Sequence, residues 1–169
     1  MIRLYPDPIL RRRARPVKPG TPAANQVARH LREAFAQVEG LGLAANQIGE
    51  LARAILVVLG GEELVLFDPQ VVWRSEELEV DSEGCLSLPG VAAEVARPKQ
   101  IRVRALEETG EPVELALEDL EARLLLHEID HLDGVLYIDH LSQAERRRVL
   151  QEYKAHRKAG ARLETGSPL

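Results

Sequence analysis

The sequence predicts an α+β fold, with short antiparallel or mixed β-sheets around one central helix and a further helix towards each end. Three observations predict it. The 169 residues suit one domain spanning 1–169, large enough to bury roughly 70% of its unfolded surface. Short apolar runs bounded by turn residues outnumber the segments of helical period. Those runs do not alternate with helices, which argues against a doubly wound parallel sheet.

Asp7-Pro8 and the stretch from Pro16 to Pro22 read as an extended, turn-rich entry. Thr21 before Pro22 has the form of a helix N-cap with proline at the first helical position. Residues 23–38 then set Val27, Leu31, Ala34, Phe35 and Val38 at helical spacing, with Gly40 as the stop. RAILVVL (53–59) reads as a buried strand, and Gly60-Gly61 as a hairpin turn into 64–67. Further strands are expected over 71–73, 78–80, 91–95, 101–105 and 113–117. Residues 118–131 form a helix with Leu120, Leu124, Leu125 and Ile129 on its apolar face, closed by Asp133-Gly134. A last helix covers about 143–159, and the final GSPL is expected to fray. Trp73 is expected to anchor packing, and His30, His140 and His156 to be solvated.

Composition excludes several classes. A single cysteine rules out an intrachain disulfide. No long apolar run precedes the N-terminal arginines, so no signal peptide is expected. No stretch approaches the ~20 apolar residues of a membrane span, and a cytoplasmic location is expected. The net charge of −5 is uneven: residues 142–162 carry seven basic and two acidic side chains, against 15 and 24 in residues 1–141. A basic terminal helix on an acidic body is a candidate docking element.

Residues 127–131 read HEIDH. At 3.6 residues per turn, His127 and His131 share one helix face and can share one metal ion, with Glu128 beside it to handle a proton of water. Two exposed histidines could give the same five letters. The apolar Leu124-Leu125-Leu126 approach argues instead for a buried helix, whose histidines need a polar reason to be inside. Cys85 could be a small core residue. Its setting, Glu83-Gly84 before it and Ser87 and Pro89 after it, is that of a turn, and a thiolate there is a plausible third ligand. Three protein ligands leave a position open, as in a catalytic site. Residues 40–47, GLGLAANQ, lack the spacing and preceding strand of a dinucleotide loop. They suit close approach of an extended peptide, with the Gln47 amide aimed at developing negative charge.

GLGLAANQ, EGCLS and HEIDHLDG, in this order and at these separations, resemble the three signature motifs of the bacterial peptide deformylases. The resemblance runs from the proline-rich start to about Leu141. It implies a metal-dependent hydrolase that removes the N-formyl group from formyl-methionine at the start of nascent polypeptides, releasing formate. It implies one divalent metal on Cys85, His127 and His131, with Fe²⁺ favoured in the cell and Zn²⁺, Ni²⁺ or Co²⁺ able to occupy the same ligands. Glu128 is implied as general base and acid. Gln47 and the backbone N–H of Leu86 are implied as oxyanion donors, and Leu41, Gly42 and Glu83 as substrate contacts. The basic helix has two readings: a solvated amphipathic helix packed through Val149 and Tyr153, or, as the resemblance implies for some members, an element docking transiently to the ribosome. No membrane partner is expected.

Two positions depart from the pattern. Leu126 stands where the family has glutamine, so a hydrogen bond near the first histidine is expected to be missing. Arg123 stands where an aliphatic residue is expected near the methionine pocket; its stem covers that pocket or its head reaches a glutamate or solvent. Asp130 is expected to support a histidine ligand, and Glu83 to pair with Arg97. Two other classes fit HExxH: an internal-bond metallopeptidase, which needs a further His or Glu ligand, and a ribosome-associated module with a structural metal.

Overall fold

A computed structural model describes residues 1–159. The expected fraying of GSPL and the basic Arg162 lie outside the described residues. Helix α1 (Pro22–Phe35) starts as expected, with Thr21 Oγ1 accepting from the Ala24 N–H at 3.3 Å. It stops short of Val38, at an Ala36 cap, and turn structure leads to Gly40.

The strands are β1 (Gly42–Ala44), β2 (Ala54–Leu59), β3 (Glu62–Arg74), β4 (Leu78–Cys85), β5 (Leu88–Pro98), β6 (Gln100–Leu106) and β7 (Pro112–Glu118). Five form one sheet in the order β1-β2-β3-β6-β7, and β4 and β5 form a separate ribbon. Every strand pair is antiparallel. Gly60 and Gly61 take φ of 57° and 81° at the β2–β3 turn, the left-handed pair that a tight hairpin requires.

Several strands are longer than their apolar runs. Residues 64–67 and 71–73 belong to one strand, because Asp68-Pro69 sits in a register shift of β3 against β6 rather than ending it. The ribbon extends well beyond 78–80 and 91–95, since polar residues fill its alternate positions. The GLGLAANQ stretch is more regular than a loop: β1 is followed by a 3-10 turn over Ala45–Ile48.

Helix α2 (Asp119–Leu132) carries HEIDH and is buried almost all round from Ala122 to Leu132. Leu124, Leu125, Leu126 and Ile129 pack with Ile55, Val57, Leu66, Ile101 and Val103 of the large sheet. Leu126 therefore serves the core. Helix α3 (Gln143–Lys158) is capped by Ser142 and buries Val149 and Tyr153. Trp73 corrects its expectation: it is 46% exposed, with the Arg102 guanidinium 5.6 Å from its ring.

The N-terminal segment ties these parts together. The Arg3 N–H donates to the Gln47 carbonyl (2.7 Å) and the Tyr5 N–H to the Ser87 carbonyl (2.8 Å). The Tyr5 carbonyl accepts from Tyr153 Oη (2.7 Å) and from the Arg157 guanidinium (2.8 Å) on α3.

Candidate metal centre

Antiparallel pairing brings the end of β4 against α2. Cys85 is the last residue of β4, followed by the Leu86-Ser87 turn, and its Sγ lies 3.4 Å from His131 Nε2. Ligand atoms of Cys85, His127 and His131 all fall within 4.8 Å of one another, and all three residues are buried. Tetrahedral coordination at ~2.3 Å to sulfur and ~2.0 Å to nitrogen sets such atoms about 3.5 Å apart. The 3.4 Å contact alone also fits an S–H···N hydrogen bond. His127 Nε2 separates the two readings, because it is buried with no partner. A nitrogen lone pair left over beside a thiol and a second imidazole fits a soft divalent ion.

The electrostatics agree. Burial pushes the Cys85 thiol up to about 12, the charge of Glu128 adds to this, and the Ser87 N–H at 3.4 Å only partly offsets it. Burial, then the neighbouring His127, holds His131 well below the usual imidazole range, so it stays neutral and able to donate a lone pair. A cation in the pocket favours the thiolate and needs that neutral imidazole.

Glu83 sets the orientation of His127. It is 1% exposed. Its Oε1 accepts from His127 Nδ1 (2.9 Å) and Arg97 Nη2 (2.9 Å). Its Oε2 accepts from Arg97 Nε (2.7 Å) and Arg123 Nη1 (2.8 Å). Burial pushes its carboxyl up, but the hydrogen bonds from Arg97 and His127 outweigh that and hold it well below the usual range. A carboxylate on Nδ1 keeps the proton there and leaves Nε2 unprotonated, as a metal ligand requires.

Glu128 is wholly buried, and neither of its oxygens has a partner. Burial, then the charge of Glu83, raises its pKa well above the ordinary value. Gly42 of β1 lies against it: a Cβ there would come within 2.8 Å of Glu128 Oε2 and of Leu124 Cδ1, so a larger residue would displace the carboxylate or the leucine. Gln47 is 1% exposed. Its Oε1 accepts from the Ala44 N–H (3.0 Å), which turns Nε2 towards Ser87 Oγ (3.1 Å) and Cys85 Sγ (3.6 Å). Leu86 follows Cys85 in the turn, and Leu41 is partly buried just before β1. Glu83, expected at the substrate, has its oxygens turned to Arg97, Arg123 and His127.

The structure thus gathers Gln47, Gly42, Glu83, Cys85, Leu86, His127, Glu128 and His131 in one region. The sequence underweighted Arg97, which also donates to Asp130 (2.8 Å) and so bridges it to Glu83. Asp130 reaches that guanidinium and His140 (2.8 Å) instead of a histidine ligand. Alternation offers the one signal for Arg97: along β5 it falls on the buried face with Ala93 and Val95. The three other histidines are not simply solvated, since His140 pairs with Asp130, His30 pairs with Glu50 (2.8 Å) and His156 packs against Gly90.

Comparison with known proteins identifies the family. The family model for polypeptide deformylase matches residues 1–147. A peptide deformylase of Bartonella tribocorum is 41% identical over 160 residues, covering 90% of each chain. One from Caldanaerobacter subterraneus subsp. tengcongensis is 43% identical over 138 residues, 82% of this chain and 86% of that protein. The crystal structure of peptide deformylase from Thermus thermophilus superposes with a TM-score of 0.83 at 40% identity, over 94% of this chain and 97% of that one. A peptide deformylase structure from Legionella pneumophila gives a TM-score of 0.88 at 33% identity, over 96% and 97%. Motifs, architecture and sequence relatives agree along nearly the whole chain, and it belongs to the polypeptide deformylase family.

Proposed function

We propose that Cys85, His127 and His131 hold the metal of this deformylase, and that Glu128, Gln47 and the Leu86 N–H carry its chemistry. The family reaction is hydrolysis of the N-formyl group of formyl-methionine peptides. One observation carries the assignment: three ligand atoms within 4.8 Å converge beside a buried carboxylate without a partner. When bound, a divalent ion supplies Lewis acidity, acidifying water and polarising a carbonyl. Fe²⁺ is the proposed cellular ion, and Zn²⁺, Ni²⁺ or Co²⁺ suit the same donors.

Glu128 takes the proton of the attacking water and returns it to the leaving amine, so the products are formate and a free amino terminus. Its raised proton affinity suits that transfer. Gln47 Nε2 and the Leu86 N–H receive the developing oxyanion. Leu41 and Gly42 hold the extended substrate backbone, and Glu83 serves it through His127. The chain from 1 to 169 acts as one catalytic unit in the cytoplasm. Among the described residues no helix is long and apolar enough to cross a membrane.

Formate release from a formyl-Met tripeptide tests this reading, with anaerobically purified protein loaded with Fe²⁺ or Ni²⁺. Release that a chelator abolishes is expected, with activity decaying in air for iron and persisting for nickel. One metal bound per chain without any release would sink it.

Ribosome docking through α3 belongs to the same proposal. Arg148 is engaged by Glu145 and Glu152, and Arg146 by Asp139. Among the described residues no carboxylate pairs with Arg147, Lys154 or Lys158. Reversing these three charges to glutamate should weaken low-salt co-sedimentation with ribosomes and flatten its salt dependence by about two to three phosphate contacts. Unchanged co-sedimentation would remove the docking role.

A further inference from the structure

We infer that Arg123 is a positioning residue that locks the cysteine-bearing ribbon to the histidine-bearing helix and so sets the separation of the metal ligands. The inference rests on the ligand set proposed above. Arg123 lies on α2, one turn before His127, and is 2% exposed. Its Nη2 donates to the Glu79 carbonyl of β4 (2.8 Å), and its Nη1 to the Val95 carbonyl of β5 (2.8 Å) and to Glu83 Oε2 (2.8 Å). The Asp81 carbonyl stands 3.3 Å from the same Nη1. One side chain of α2 therefore holds both strands of the ribbon at the end of which Cys85 sits.

The contact with Glu83 acts in a second way. An ionised carboxylate offers about four acceptor sites. Glu83 receives four donors: Arg97 Nε, Arg97 Nη2, Arg123 Nη1 and His127 Nδ1. Arg97 and Arg123 fill the remaining sites, so the carboxylate faces His127 in one pose. Without Arg123, a buried oxygen site is left empty, and the carboxylate gains freedom to turn away from the imidazole. Arginine suits the task because it stays charged and its planar fork reaches several acceptors at once. Lysine is a single point charge with no comparable reach.

The test is metal retention, independent of turnover. Protein loaded with Co²⁺ is mixed with excess chelator, and loss of the thiolate–cobalt absorption band gives the dissociation rate. Arg123→Met should release Co²⁺ about tenfold faster than the unaltered chain, at the low end of the roughly 10–100-fold affinity loss that follows removal of a direct partner of a metal ligand, because Arg123 acts through Glu83. Arg123→Lys should fall between them. Far-UV circular dichroism identifies which variants are folded, and a rate equal to the unaltered chain in either folded variant overturns the inference. The unaltered protein gives a reading that needs no variant. Its Zn²⁺ form should show a slowly exchanging proton on His127 Nδ1 and protected guanidinium protons on Arg123; rapid exchange at Arg123 overturns the clamp. If the unaltered chain binds no Co²⁺ at all, the ligand assignment has failed, and the outcome is distinct from failure of the clamp.

Discussion

Glu128→Ala should reduce formate release by on the order of 10³–10⁴-fold while the chain still binds one metal ion. The size follows from the position of the group. Its oxygens are buried without partners, so no side chain hydrogen-bonds there to share the proton. Gly42 brings the β1 backbone against the same carboxylate, leaving it between a strand edge and the ligand set. Metal is retained because Cys85, His127 and His131 are untouched. Stability should not fall in the metal-free protein, since the substitution removes a buried carboxylate that nothing satisfies. Formate release, metal content and thermal unfolding check the three parts. Turnover within tenfold of the unaltered enzyme would refute Glu128 as the proton carrier. Loss of metal would instead make it a ligand. A structural metal site predicts no functional change at all.

Gln47→Leu is the second large effect: about 10²–10³ in kcat, with KM and metal content little changed. The amide is held from behind by the Ala44 N–H and from the side by Ser87, so it is aimed before substrate arrives. The side chain is already in place, and only one Nε2–H has to turn from Ser87 or Cys85 to the formyl oxygen as charge develops. Leucine keeps the volume and removes the donor. It also strands the Ala44 N–H, so the unfolding midpoint should be measured alongside kcat. An equal fall in kcat and rise in KM would place Gln47 in substrate binding instead.

The legible and illegible parts of the sequence separate on physical grounds. Helices α1 and α3 are readable because burial on one face leaves a period that local counting detects. Helix α2 is buried nearly all round from Ala122, its apolar run and HEIDH mark it instead, and Leu120, expected on its apolar face, is 50% exposed. HEIDH and the single cysteine point to the cluster of Cys85, His127 and His131 that the fold brings within 4.8 Å, since the chemistry narrows the choice to a few residues. The Glu83 cluster was not readable in full. Arg97 and Arg123 come from β5 and α2, and only the folded register brings them to one carboxylate. Arg123 illustrates the difficulty: pocket, glutamate and solvent are all open to it in the sequence, and the fold sends its head to Glu83 and the ribbon carbonyls. The long β3 was hidden for the opposite reason, because Asp68-Pro69 carries the local signature of a break. Trp73 misled through its size; an aromatic at a strand end can lie under an arginine at the surface.

Tyr5 meets Tyr153 and Arg157 across nearly the whole length of the chain, and Tyr5 is joined in turn to the turn after Cys85. Contacts so distant in sequence form late, because the entropy of closing a long loop must be offset before they yield anything. A growing chain synthesised from its N-terminus holds Arg3 and Tyr5 first and acquires their anchors on α3 last. The seating of the Gln47 and Ser87 turns should therefore be among the later events of folding, which pulse-labelled hydrogen exchange at the Arg3 and Tyr5 amides would time.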